Sequence, residues 1–136
     1  MLNPGDTAEA SLIVQTSDTA RGLALSPDDE FPEVFATSRM VALMELAAAR
    51  LLRQILRPGE LSVGVVVDAR HTAATPVGCH VRAVATYEGI EGRLHRFRIE
   101  AFDDAGSIGE CSHTRAIVST DRLLRGAERR RSRPLA

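Results

Sequence analysis

The chain has 136 residues, 44% of them hydrophobic and 26% charged, with a formal net charge of −1. A chain of this length buries about two-thirds of its unfolded surface as one domain, and these fractions exclude disordered, collagenous and disulfide-framework classes. All 17 basic residues are arginine, which excludes Schiff-base chemistry and a lysine general base, and an aromatic share of 4% argues against stacking on single-stranded nucleic acid.

In chain order, Ala8 to Thr16 reads as a first strand, followed by a polar, turn-prone stretch to Glu30 centred on Ser26-Pro27-Asp28-Asp29. From Thr37 to Leu56 the apolar residues recur at helical spacing. Arg39, Arg50, Arg53 and Arg57 fall in one thin stripe, so the helix is expected to be mostly buried beneath a sheet and stopped by Pro58-Gly59. Strands follow. Leu61, Val63, Val65, Val67, Ala69 and His71 alternate with Ser62, Gly64, Val66, Asp68 and Arg70, so all six are expected to face inward. Thr75-Pro76-Val77-Gly78 turns the chain into a strand whose inward residues are Val81, Ala83, Ala85 and Tyr87. A loop over 88–92 leads to Leu94–Phe102, and Asp103-Asp104-Ala105-Gly106 turns into Ile108–Val118. Short turns predict antiparallel neighbours and an α+β class: one long helix against one curled five-stranded sheet.

From Arg122 onward, arginines at 122, 125, 129, 130, 131 and 133 face only Glu128, a net of +5 that leaves −6 on the rest. Such a segment attracts anions without specificity. Its simplest reading is a solvated short helix from about residue 121 with a frayed end, and no nucleic-acid partner is expected. No apolar run reaches the ~20 residues that span a bilayer, and Met1 to Asp6 lacks a basic signal-peptide start. Cys79 and Cys111 fit no metal-ligand spacing and read as reduced thiols. A cytoplasmic chain, 1–136 as one domain, with no metal and no membrane partner, is therefore expected.

Glu45 stands out chemically. It lies about 80° from the arginine stripe at 3.6 residues per turn, and its neighbours one turn away are Val41, Ala42, Ala48 and Ala49, none of which can pair with it. A carboxylate among apolar side chains carries a desolvation cost unless a partner arrives from elsewhere; the bland reading is a Glu at the sheet edge reaching water. His71 ends its strand on the inward phase, where an imidazole transfers protons near neutral pH or serves as a satisfied structural group. Asp68, three residues earlier on a strand, falls on the opposite face and makes no metal pair with it. His80, His95 and His113 show no convincing partners. Thr37 is expected as the N-cap, its hydroxyl beside the positive end of the helix. Gly64 interrupts a β-branched strand, which marks a bulge or a close approach, and its N–H is a candidate oxyanion donor. No nucleophile elbow, P-loop or dinucleotide fingerprint occurs. Taken alone, these residues define an α+β domain with a possible Thr/Glu/His cluster.

Phe31-Pro32-Glu33-Val34-Phe35-Ala36-Thr37, Met44-Glu45 and His71-Thr72-Ala73-Ala74-Thr75-Pro76 resemble, in sequence and spacing, the fluoroacetyl-CoA thioesterase-like branch of the hotdog-fold proteins. The resemblance covers about Phe31 to Val118. It implies a central helix wrapped by an antiparallel sheet, a homodimer (possibly a tetramer) with active sites between subunits, and hydrolysis of an acyl-CoA thioester with no cofactor beyond the coenzyme A of the substrate. By motif, Thr37, Glu45 and His71 match the family's catalytic Thr, Glu and His. Gly64 matches a glycine near the thioester, Arg115 a substrate-contacting arginine and Phe31 a lid over the acyl pocket. Asp28-Asp29-Glu30 stand where the fluoroacetate-specific member has a more apolar lid, so another short acyl group is the expected substrate. Glu45 as nucleophile and Glu45 as general base are both open. A non-catalytic acyl-CoA or acyl-carrier binding module on the same scaffold is the alternative, and a hotdog hydratase, which wants an Asp/His dyad, fits less well.

Overall fold

The computed structural model describes residues 1–131. Its elements are β1 (Thr7–Ile13), α1 (Thr37–Leu52), β2 (Glu60–His71), β3 (His80–Glu91), β4 (Leu94–Asp103), β5 (Gly106–Ser119) and α2 (Thr120–Arg131). The five strands form one antiparallel sheet in the order β1-β3-β4-β5-β2. Arg133 of the basic tail lies outside the described residues.

The wrapped-helix arrangement follows from the apolar circumference of α1, which buries Met40, Leu43, Met44, Ala47, Ala48, Leu51 and Leu52. Against them lie Val81, Ala83 and Ala85 of β3 and Phe97, Ile99 and Ala101 of β4, all at most 1% exposed. The predicted inward phase of β3 is therefore observed. The helix ends earlier than periodicity predicts: after Leu52 it tightens into a 3-10 turn over Arg53–Ile55, and Leu56 is already extended. Its solvent side is also wider than the arginine stripe, since Ala42 is exposed and Leu46 is 44% exposed.

Four strand expectations need correction. β1 stops at Ile13, and a 3-10 turn over Thr16–Asp18 takes its place. Residues 88–92 are not a loop; β3 continues to Glu91, pairs with Leu94, and absorbs a register shift between Tyr87 and Gly89, whose φ of +107° suits glycine. β2 and β3 are joined by a short segment yet are not neighbours. The chain crosses the sheet end through Thr72–Cys79, held by Thr72 and Ala73 N–H donation to the Ile108 carbonyl, and β2 pairs with β5 instead.

β2 carries the most consequential departure. A register shift between Gly64 and Val66 leaves Val65 as an extra residue. Directly opposed residues share a face, so the inward side of β5 (Cys111, His113, Arg115, Ile117) places Ala69, Val67, Gly64 and Ser62 inward. Val67, Ala69 and His71 keep the predicted phase, whereas Leu61 and Val63 fall on the other face. β2 is also the sheet's edge, and Leu61 and Val65, Val66 and Val67 are 52%, 52%, 50% and 41% exposed.

Gly109 is where the helix seats on the sheet. A Cβ there would stand 2.5 Å from the Arg70 carbonyl oxygen and 2.8 Å from Met40 Sδ. The backbone oxygen belongs to the paired strand and cannot give way. Gly109→Ala is expected to cost about 1–3 kcal/mol of stability through overpacking, read as a lower urea midpoint with unchanged slope.

Candidate active site

The loop before α1 is pinned from several sides. The Ala36 N–H donates to the Asp18 carbonyl and the Phe35 N–H to the Thr75 carbonyl, while the Arg39 guanidinium reaches the Asp18 carboxylate at 3.5 Å. Ala36, with no side-chain acceptor, is the N-cap, and Thr37 is the first helical residue. This corrects the capping role expected for Thr37 and explains what its hydroxyl does instead. Thr37 Oγ1 and His71 Nδ1 share a hydrogen bond of 2.8 Å. The imidazole stands edge-on to buried Phe35, with ring centroids 6.4 Å apart. Burial depresses the His71 pKa, against an opposing pull from the Ala73 backbone, so the ring is neutral at pH 7. Its Nε2 is buried without a hydrogen-bond partner among the described residues. An orphaned ring nitrogen beside an open groove of about 300 Å³ lined by Pro32, Val34 and Phe35 marks a place for a ligand atom.

A second constellation forms where α1 passes β5 and the bulge of β2. Glu45 finds its partner across the core: Arg115 Nη1 donates to its Oε2 at 2.9 Å. Arg115 is only 6% exposed, and its other two nitrogens are also engaged, Nε with Ser62 Oγ at 3.0 Å and Nη2 with the Ser62 carbonyl at 3.1 Å. A buried guanidinium held at all three nitrogens is a firm clamp for one carboxylate oxygen. His113 completes the group. Its Nδ1 lies 2.6 Å from the Val66 carbonyl and its Nε2 is 3.2 Å from Arg115 Nη1. Arginine only donates, so Nε2 accepts and Nδ1 carries the proton: a neutral ring. Burial first, and then Arg115, lower its pKa, while the Val66 carbonyl and Glu45 oppose them. Gly64 faces this cluster. A Cβ there would overlap Glu45 Oε2 and come within 3.3 Å of His113 Cε1, so the position excludes any side chain as long as the carboxylate stays in place.

The two constellations are separate within one chain. Thr37 and Glu45 lie eight residues apart on α1, about 12 Å along its axis, and His71 and Gly64 lie about 20 Å apart on β2. Phe31 is 53% exposed and lies outside the groove beside His71, so one chain alone does not form the lid expected of it. The partner of Glu45 and the role of His113 escaped sequence reasoning. The available signal was the period-two spacing of His113 and Arg115 on a strand whose neighbouring inward positions are apolar. His95 likewise has a partner, the Tyr87 hydroxyl at 2.7 Å, in a buried pair, and stands opposite Arg115 in the β4–β5 ladder.

A helix wrapped by a curled antiparallel sheet, with a clamped carboxylate and a Thr–His pair at its margins, is the hotdog-like thioesterase fold. A thioesterase superfamily member from Thermus thermophilus has this fold with a TM-score of 0.86 at 29% identity, covering 96% of this chain and 94% of that one. The fluoroacetyl-CoA thioesterase FlK matches with a TM-score of 0.88 and 38% identity, over 98% of this chain and 99% of that one. In sequence, the fluoroacetyl-CoA thioesterase of Streptantibioticus cattleyicolor is 44% identical over 94 residues, which is 69% of this chain and 68% of that protein. A sequence model of the fluoroacetyl-CoA-specific thioesterases matches residues 14–121. The chain belongs to that family and is a thioesterase.

Proposed function

We propose that the chain hydrolyses a short-chain acyl-CoA thioester to the free acid and CoA, in active sites shared by two copies of the chain. The observation that carries this reading is the open, apolar β2 edge, with His71 at one end and the Glu45–Arg115–Gly64 cluster at the other. A two-fold pairing of β2 with β2 about the exposed valines is antiparallel, so the His71 end of one strand meets the Leu61–Gly64 end of the other. Each site then contains Thr37 and His71 from one copy and Glu45, Gly64 and Arg115 from the second.

The thioester carbonyl lies between the two sets. The Thr37 hydroxyl and the Gly64 N–H stabilise the oxyanion as it develops. Glu45, oriented by its ion pair with the Arg115 guanidinium, attacks the carbonyl to form an anhydride or removes a proton from water; either route needs the carboxylate at the end of its clamp. His71, whose Nδ1–H is held by Thr37 Oγ1, offers the lone pair of Nε2, which takes up the proton lost by the attacking water and passes it to the departing thiolate. The small apolar groove beside His71 takes the acyl group, and Phe31 with Asp28-Asp29-Glu30 stands over solvent, which favours a short acyl group other than fluoroacetyl. Among the described residues no helix is long and apolar enough to cross a membrane, and with two free cysteines the setting we infer is the cytoplasm.

Mixing two inactive variants tests the shared site. His71→Ala and Glu45→Gln are each expected to release little CoA alone. Co-assembled at random, they regain about a quarter of wild-type activity, because half the dimers contain one intact site. No recovery, with mixed dimers demonstrated by mass, would place all three residues in one chain's site. A non-catalytic acyl-CoA binding module is separated by the absence of steady-state CoA release from the wild-type protein.

A further inference from the structure

The basic helix α2 has a face the chemistry above does not use. Arg122, Arg125 and Arg129 recur at three- and four-residue spacing, so they share one side of the helix. Together with Ile117, Val118 and Leu123 they line a cavity of about 440 Å³ at the end of β5. Arg122 and Arg125 form no ion pair among the described residues. Guanidiniums over an apolar floor make a receptor for an anion attached to a flat or apolar group, not a neutral surface.

The position of the cavity relates it to Glu45. Ile117 is the next inward residue of β5 after Arg115, about 7 Å further along the strand, and Ser119 is about 13 Å from Arg115. A ligand whose reacting carbonyl sits at Glu45 and Gly64 and whose chain runs along Ser62 and Ile117 arrives at the guanidiniums after a stretch comparable to an extended pantetheine arm. We propose that this cavity binds the 3′-phosphorylated adenosine diphosphate end of the CoA thioester, the phosphates on Arg122 and Arg125 and the base over Leu123 and Ile117. The inference rests on the acyl-CoA reading for its ligand, but not for its existence as an anion site.

The test is the double variant Arg122→Gln/Arg125→Gln, assayed with acetyl-CoA and with the acetyl thioester of N-acetylcysteamine, which has the same reacting carbonyl and no phosphate. KM for acetyl-CoA is expected to rise about tenfold or more, with kcat and the truncated thioester unaffected. The salt dependence of the wild-type KM should flatten in the variant. Unchanged KM for acetyl-CoA, or an equal loss on both substrates, would overturn the proposal. If the wild type hydrolyses neither thioester, the acyl-CoA reading fails on its own. Calorimetry with adenosine 3′,5′-bisphosphate then decides the site: heat of binding in the wild type that vanishes in the variant upholds it, and its absence in the wild type refutes it.

Discussion

Glu45→Gln is expected to lower the turnover of acyl-CoA by about 10²–10⁴-fold while leaving the fold intact. Gln keeps an oxygen for Arg115 Nη1 and is the same size, and the Glu45 side chain is 38% exposed, so the clamp loses charge without opening a cavity. What disappears is the group able to attack a carbonyl or take a proton from water. Thiol release measured against thermal melting separates the two effects. A variant that melts as the wild type does and hydrolyses at an undiminished rate would remove Glu45 from the chemistry.

Gly64→Ala tests the same site from the opposite wall. The added methyl group would overlap Glu45 Oε2, so the carboxylate must leave its bond to the buried Arg115 guanidinium. Stability should therefore fall by about 1–3 kcal/mol. Activity should fall further, because a carboxylate displaced by about 1 Å loses on the order of 10²-fold in rate. A fall in kcat much larger than the modest loss of stability accounts for is the expected pattern. The converse, a destabilised protein with normal kcat, would show that Gly64 serves the strand and not the carboxylate.

Much of the fold was legible because its signals are local. The apolar circumference of residues 40–52 requires a covering sheet, and the alternation in β3 holds to its last inward residue, Tyr87. Local alternation fails at β2, where one inserted residue reverses the phase of everything before it. Val63 and Val67 look equivalent in sequence and lie on opposite faces. Gly64 was the visible sign, since a glycine in a β-branched run points to a bulge, but its effect on the phase of Leu61 was not readable without the strand pairing. Glu45 was conspicuous for lacking a partner within its helix. Its actual partner, Arg115, is 70 residues away and meets it only because β5 passes beneath α1. Contacts of that range depend on topology, and the sequence order of the strands does not reveal that β2 lies beside β5.

The two margins of the sheet are chemically unlike. On β1, the outward Glu9 pairs with Arg82 at 3.2 Å, and Arg50 from the helix donates to the Glu9 carbonyl at 2.7 Å, consuming an acceptor that an incoming strand would need. Among the described residues the β2 margin has no such guard, and its valines are open to a partner. Strand addition that joined one molecule's β1 to the next molecule's β2 would grow without limit, and the blunted β1 denies it that route. The like-to-like pairing proposed for β2 would consume both receptive margins at once and terminate at two, and the extra residue at Val65 would penalise any slipped alignment of otherwise similar side chains.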